Sequence, residues 1–157
     1  MAICNPGDLA GIIGKGERLL GLDLGTKTIG LALSDTRLAV ASPLKTIRRT
    51  RLKADLAALF AEVAAHQVGG LVIGLPLALD GRESPRSQAV RQFARDLLKE
   101  RDLPIAFWDE RLSTAAVERT MIDADITRKR RSQIIDRAAA AYILQGLLDR
   151  LARLSAP

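Results

Sequence analysis

Apolar residues along the chain follow two patterns, short continuous runs and longer stretches in which they recur every three or four positions. The short runs, bounded by glycine, proline or polar residues, predict β-strands at residues 19–25, 29–34, 44–47, 71–75 and 105–108. The stretches with helical spacing predict helices at residues 52–66, 86–101, 113–122 and 132–151. Only residues 26–28 separate the first two runs, which predicts an antiparallel hairpin.

The order of these elements predicts the fold class. Residues 71–75 are apolar apart from one glycine, a composition typical of a strand buried in a parallel sheet. Strands joined by helices pair in parallel, whereas the leading hairpin is antiparallel. We therefore expect an α/β fold with a mixed five-stranded sheet and helices on both faces.

The length of 157 residues fits one domain, which we expect at residues 18–153. Residues 1–17 contain four glycines and lack the apolar core of a signal peptide, so they are expected to form a flexible N-terminal leader. The chain has one cysteine and no apolar run near 18 residues, which together favour a cytoplasmic protein.

The formal net charge of +6 favours a polyanionic partner, because basic side chains that neutralise phosphates release condensed counterions. Aromatic residues make up only 3% of the chain, which argues against base stacking and toward recognition of backbone or shape. The candidates for nucleic-acid binding are Lys27, Arg48, Arg49, Arg111, Arg128, Lys129, Arg130 and Arg131.

Asp23 is an ionisable residue inside an otherwise apolar predicted strand. Burying a carboxylate is costly unless its charge meets a partner, and a bound cation is one such partner. Gly25, two residues later, lets a ligand approach the backbone closely. Hydrogen bonds alone are the alternative explanation of Asp23.

Three further acidic residues lie where they can join Asp23. Asp109 and Glu110 follow the strand at 105–108, and side chains alternate along a strand, so one of the pair points to each face. Asp136 lies near the start of the last predicted helix, where the helix dipole alone also favours an aspartate. Acids on three elements suit Mg²⁺ or Mn²⁺, and two such ions can activate water for phosphodiester hydrolysis.

Four sequence blocks, in order and over about residues 18–150, resemble the YqgF family, also called RuvX-like. They are Gly21-Leu22-Asp23-Leu24-Gly25-Thr26-Lys27-Thr28-Ile29-Gly30, Gly74-Leu75-Pro76-Leu77 with Asp80-Gly81, Trp108-Asp109-Glu110-Arg111-Leu112-Ser113-Thr114, and Asp136 with Ala138-Ala139 and Ile143-Leu144-Gln145. The resemblance implies a ribonuclease H-like fold. It also implies that Asp23, Glu110 and Asp136 are catalytic and hold the metal, with Asp109 as the alternative second ligand.

The resemblance implies a metal-dependent nuclease that matures the 5′ end of pre-16S rRNA in ribosome biogenesis. Resolution of branched DNA at a Holliday junction is the alternative, and it would require a homodimer because a four-way junction needs two active sites. The expected reaction is in-line attack of water, which leaves a 5′-phosphate and a 3′-hydroxyl.

Two other classes of protein are alternatives to a nuclease. A non-catalytic nucleic-acid-binding module could keep the same fold, although acidic residues at all three positions argue against it. An actin-like or sugar-kinase ATPase shares a loop like that at residues 23–27. The chain is too short, however, for the two domains that such enzymes close around a nucleotide.

Overall fold

The computed structural model of the protein describes residues 3–110 and 128–155, and within the last helix it describes side chains from residue 138 onward. The helix predicted at residues 113–122 and the candidate Arg111 lie outside the described residues.

Five strands form one mixed sheet. They are β1 (Arg18–Leu24), β2 (Thr28–Ser34), β3 (Ala41–Arg48), β4 (Val68–Leu75) and β5 (Ile105–Asp109). The spatial order is β3-β2-β1-β4-β5. The β1–β2 and β2–β3 pairs are antiparallel, whereas β1–β4 and β4–β5 are parallel. The predicted sheet is therefore confirmed, and β1 lies at its centre.

Two strands begin three residues earlier than predicted. β3 begins at Ala41 and contains Pro43, which is tolerated because β3 is an edge strand with one side free of ladder hydrogen bonds. β4 begins at Val68 rather than at the predicted residue 71, so Gly69 and Gly70 lie inside the strand.

The helices are α1 (Leu9–Ile12), α2 (Leu52–Ala65), α3 (Pro85–Glu100) and α4 (Arg128–Ser155). α3 begins with a capping box in which the Ser84 hydroxyl accepts from the Ser87 N–H, and Pro85 occupies the first turn. α4 starts before the predicted Ser132, so the basic run at 128–131 belongs to its first turn. Arginine and lysine favour helix, which explains the extension.

The sheet separates two apolar cores. Leu20, Leu22 and Leu24 of β1 pack with α2 and α3 on one face. On the other face Leu19 packs with α4, and Gly21 lies directly under that helix. Helices therefore cover both faces, as predicted. No helix in the described part of the chain combines the length and apolarity of a membrane-spanning segment.

The N-terminal segment, expected to be a flexible leader, packs against the domain. The Cys4 N–H donates to the Ile105 carbonyl at 2.9 Å, which adds a bridge to the edge of β5. Leu9 is fully buried and contacts the α4 core. Beside it, a side chain at Gly70 would meet Leu9 at 3.2 Å. The described residues of this segment therefore belong to the packing of the domain.

Candidate active site

Asp23 lies near the carboxyl end of the central strand β1, and its partner across the β1–β2 hairpin is Gly30. Side chains alternate along β1, so Asp23 projects from the same face as Leu19 and Gly21, the face that α4 covers. The residue is half-buried. Its carboxylate therefore lies at the open edge of the sheet rather than in the closed core.

Glu110 follows the last residue of β5 and forms a side-chain hydrogen bond with Asp23, although β4 lies between their strands. Gly74 makes this reach across β4 feasible. A Cβ atom at Gly74 would lie 2.6 Å from Glu110 Oε1 and 2.5 Å from Ile143 Cδ1. Glycine near the end of β4 thus leaves the space that the Glu110 side chain fills.

The surroundings of Glu110 favour its protonated form. Burial, followed by the hydrogen bond and the negative charge of Asp23, raises the pKa of Glu110 to about 8. The positive charge of Arg86 acts in the opposite direction. Two carboxylates this close repel each other unless a proton or a cation lies between them, so the pair is suited to bind a cation.

Asp109 points to the other face of the sheet. Its partner in β4 is Leu75, which belongs to the core under α2 and α3, and paired residues in neighbouring strands share a face. The charge of Asp109 still contributes to the raised pKa of Glu110. Of the two acids at this strand end, Glu110 is the one that meets Asp23.

Asp136 lies within α4, and its side chain is outside the described residues. The Ala140 carbonyl contacts Gly21, at 2.9 Å from the site of a glycine Cβ, and Asp136 comes one helical turn earlier. Further along α4, Gln145 Oε1 accepts from the Ala41 N–H at the start of β3. Because β3 runs in the same direction as β1, this contact lies at the end of the sheet away from the carboxyl end of β1. The backbone of Asp136 therefore lies toward the carboxyl end of β1. Among the described residues, no group of three or more acidic, histidine or cysteine side chains is arranged to hold a metal.

Two guanidinium groups flank the end of β1. Arg49 Nη1 donates to the Gly25 carbonyl at 2.7 Å, and its Nε lies 3.9 Å from Asp55 Oδ2, so Arg49 ties the β1–β2 turn to α2. Arg86 Nη2 donates to the Leu24 carbonyl at 3.5 Å. Both arginines line a cavity of about 90 Å³ beside Gly25.

The other basic candidates differ in how far they are described. Lys27 is exposed in the β1–β2 turn. Arg48 is exposed at the end of β3 and alternates with buried Ile47, which places it on the Asp23 face. The side chains of Arg128, Lys129, Arg130 and Arg131 lie outside the described residues.

Two contributors to the site were not predicted from the sequence. Arg86 was one of several basic residues around the second predicted helix, and its position after the Ser84 cap is the local signal that it lies at a sheet edge. Gly74 was part of a recognised block with no assigned role. Its contact with Glu110 depends on the pairing of β4 with β5.

The strand order, the central Asp23 and the carboxylate that follows β5 define a ribonuclease H-like fold with an acidic site at its edge. The chain belongs to the RuvX family, described as Holliday junction resolvase, whose model matches residues 17–150. This membership confirms the family and the nuclease class indicated by the sequence blocks.

Relatives agree with this assignment, and a solved structure agrees with the fold. A protein of Paramagnetospirillum magneticum is 57% identical over 95% of this chain and 96% of its own length, and one of Rhodobacter capsulatus is 56% identical over 94% and 92%. Both are named "Putative pre-16S rRNA nuclease". Thermus thermophilus RuvC, solved with a Holliday junction substrate, is similar in fold with a TM-score of 0.50. It shares 14% identity over 86% of this chain and 96% of RuvC.

Proposed function

We propose that this nuclease is metal-dependent and processes the 5′ end of pre-16S rRNA. The hydrogen-bonded pair of Asp23 and Glu110 at the carboxyl edge of the sheet carries the proposal. The relatives that share more than half of its residues are named for that substrate, and their similarity covers nearly the whole chain.

The donor set fits Mg²⁺ or Mn²⁺. Its described members are carboxylate oxygens, the ligands that hard cations prefer, and Gly74 leaves room for them to converge. We assign Asp23 and Glu110 as ligands, and Asp136 as a third. Asp109 is not assigned, because it projects from the other face. When bound, the metal ions supply activation of water and stabilisation of the leaving oxygen.

The residues of this chain orient the substrate around that centre. Arg86 lies close enough to Glu110 to act on its charge, so its guanidinium can also meet a phosphate oxygen placed over the acidic pair. Arg49 keeps the neighbouring turn in place. Lys27, Arg48, Arg111 and the run at 128–131 are proposed to hold the flanking phosphates by charge.

Cleavage of a pre-16S 5′ RNA fragment in Mn²⁺ tests the proposal. We expect Asp23→Asn and Glu110→Gln to lower the rate by at least about 100-fold, because loss even of outer partners of a metal site costs 10–100-fold. Asp109→Asn is the matched control and should stay within a few-fold of the wild-type rate. Equal cleavage by wild type and Asp23→Asn would show that the assigned site is wrong.

The chemical groups at the ends of the products distinguish attack by water from attack by the ribose 2′-hydroxyl. In-line attack of water leaves a 5′-phosphate and a 3′-hydroxyl. A 2′,3′-cyclic phosphate would mean that the ribose hydroxyl is the nucleophile and would contradict the mechanism.

Resolution of a Holliday junction is the second candidate, favoured by the family description and by the RuvC-like fold. It requires two active sites and thus a symmetric dimer. A monomeric mass in solution, with RNA cleaved and a four-way junction left intact, would exclude it. Binding of both substrates without cleavage of either would instead indicate a non-catalytic module.

A further inference from the structure

A cavity of about 800 Å³ lies between β5, α4 and the N-terminal segment. Trp108 lines it from β5, and Tyr142 and Gly146 line it from α4. Residues 5–8 form the wall on the N-terminal side. Of the described lining residues, only Asp109 borders the acidic site.

The only tryptophan and the only tyrosine of the chain thus line one cavity. The Tyr142 side chain is 48% exposed, which is unusual for an aromatic residue on a helix whose other face forms a core. Phe107 also lines the cavity, but its ring lies under the Arg91 guanidinium at 5.2 Å. Tyr142 is therefore the most exposed of the three aromatic residues that line the cavity.

Trp108 is held in place by α4. A Cβ at Gly146 would lie 2.9 Å from the Trp108 indole Nε1, so the indole rests directly against the helix backbone. The indole at the floor of the cavity is therefore packed against α4, and a ring that is already held by packing loses little entropy when a ligand binds.

The cavity is close to the acidic site. Trp108 precedes Glu110 by two residues, about 7 Å along an extended strand. Tyr142 follows Asp136 by six residues, about 9 Å along α4. A strand of nucleic acid with its phosphate at the acidic pair can therefore place a neighbouring nucleotide at the cavity.

We propose that this aromatic pocket, formed around Trp108 and Tyr142, binds the base of an unpaired nucleotide beside the cleaved bond. Tyr142 stacks on the base, and exposed Arg150 at the rim meets the attached phosphate. A paired base cannot enter, since it stays stacked in its duplex. The inference rests on the proposed nuclease function.

The rim also predicts a preference among bases. Asp8 and Asp149 line the cavity, and their carboxylates can only accept hydrogen bonds when ionised. Asp149 Oδ1 accepts from Gln145 Nε2 at 2.9 Å, which leaves its second oxygen for a ligand. Adenine, cytosine and guanine carry exocyclic amino groups with two N–H donors, whereas the single N3–H donor of uracil lies between two carbonyl oxygens that carboxylates repel. The pocket therefore favours an amino-bearing base over uracil.

Tryptophan fluorescence tests the pocket directly, because Trp108 is the sole tryptophan. The metal-free protein, kept in chelator so that no cleavage occurs, is titrated with the single-stranded pentanucleotides A5 and U5. We expect A5 to quench the emission to saturation and to bind several-fold more tightly than U5. Tyr142→Ala should weaken A5 binding by about 10-fold, and Tyr142→Phe should retain it.

Leu52→Ala is the control, since Leu52 is an exposed apolar residue at the start of α2 and does not line the cavity. Binding of A5 without quenching, or equal affinity of Tyr142→Ala and wild type, would overturn the pocket while leaving the nuclease proposal intact. Equal affinity for U5 would overturn the base preference. Undiminished cleavage by Asp23→Asn would overturn the acidic site whatever the fluorescence shows.

Discussion

The Glu110 carboxylate occupies the space in which Gly74 lacks a side chain, with Oε1 2.6 Å from the position of a Cβ atom. A carboxylate from the edge strand β5 thereby reaches Asp23 on the central strand across the intervening β4. The contact between Asp23 and Glu110 therefore depends on the absence of a Cβ atom at Gly74 as well as on the two acids.

Gly74→Ala should therefore disrupt the pair without removing either acid. The added methyl group would clash with Glu110 and with Ile143, so Glu110 must move away from Asp23. We expect a loss of about 10–100-fold in Mn²⁺-dependent cleavage. Gly11→Ala is the control, because an added Cβ at Gly11 would meet no atom within 4 Å. Full activity of Gly74→Ala would show that Glu110 is not held where we place it.

The raised pKa of Glu110 predicts how stability depends on pH in the metal-free protein. The folded state keeps a proton up to about pH 8 that the unfolded state loses near 4.5, so the free energy of unfolding should fall as pH rises through this window. Urea denaturation in chelator, from pH 5 to pH 8, measures it. Glu110→Gln should flatten the dependence, and Mg²⁺ should restore the stability of the wild type at pH 8.

A second group separates this effect from ordinary acid denaturation. The hydrogen bond from Arg91 lowers the pKa of Glu83, so the stability Glu83 contributes is present above pH 4.5 and is lost only as pH falls further. Glu83→Gln should leave the slope between pH 5 and pH 8 unchanged. If it flattens that slope as Glu110→Gln does, the assignment to Glu110 is wrong.

Arg86→Ala should weaken the interaction with substrate by about 10-fold or more, since a hydrogen bond to a charged group contributes about 1.5–3 kcal/mol. The salt dependence of RNA binding should also lose about one phosphate contact. Arg95→Ala is the control, because Arg95 lies exposed on the same helix and donates to Gln92 at 2.9 Å. If RNA binding by the two variants depends equally on salt concentration, Arg86 does not contact a substrate phosphate.

Leu9→Ala should destabilise the protein by about 2–5 kcal/mol, the usual cost of emptying a buried leucine site. Leu9 is fully buried against the α4 core, whereas Ile12 in the same short helix is 49% exposed. Ile12→Ala should therefore have a much smaller effect on the midpoint of urea denaturation. Equal midpoints for the two variants would contradict the packing of Leu9 and support the prediction of a flexible leader.

Features encoded by neighbouring residues could be predicted from the sequence. The β1–β2 hairpin and the exceptional position of Asp23 follow from one short apolar run and the turn after it. The buried strand β4 follows from its continuous apolar composition. Each requires only the alternation of side chains along a strand.

Features that depend on pairing between distant segments could not be predicted from the sequence. The choice between Asp109 and Glu110 stayed open because it depends on the register of β5 against β4, which places Asp109 beside Leu75. Leu9 gave no signal, since a four-residue helix is much shorter than the window of about 11–18 residues in which helical periodicity can be recognised. The pocket around Tyr142 requires the crossing of α4 over β5, although low aromatic content argued against stacking altogether.

Gly21 has a consequence for how substitutions in this protein are interpreted. A Cβ there would lie 2.8 Å from Leu144 Cβ and 2.9 Å from the Ala140 carbonyl, so any larger residue lifts α4 from β1. In a saturation mutagenesis survey, Gly21 should tolerate as little change as Asp23, although it has no group that reacts. Intolerance at Gly21 would show that α4 must lie close to β1. A direct role in metal binding would be shown only for Asp23, by an Asp23→Asn variant that keeps its fold and loses affinity for the metal.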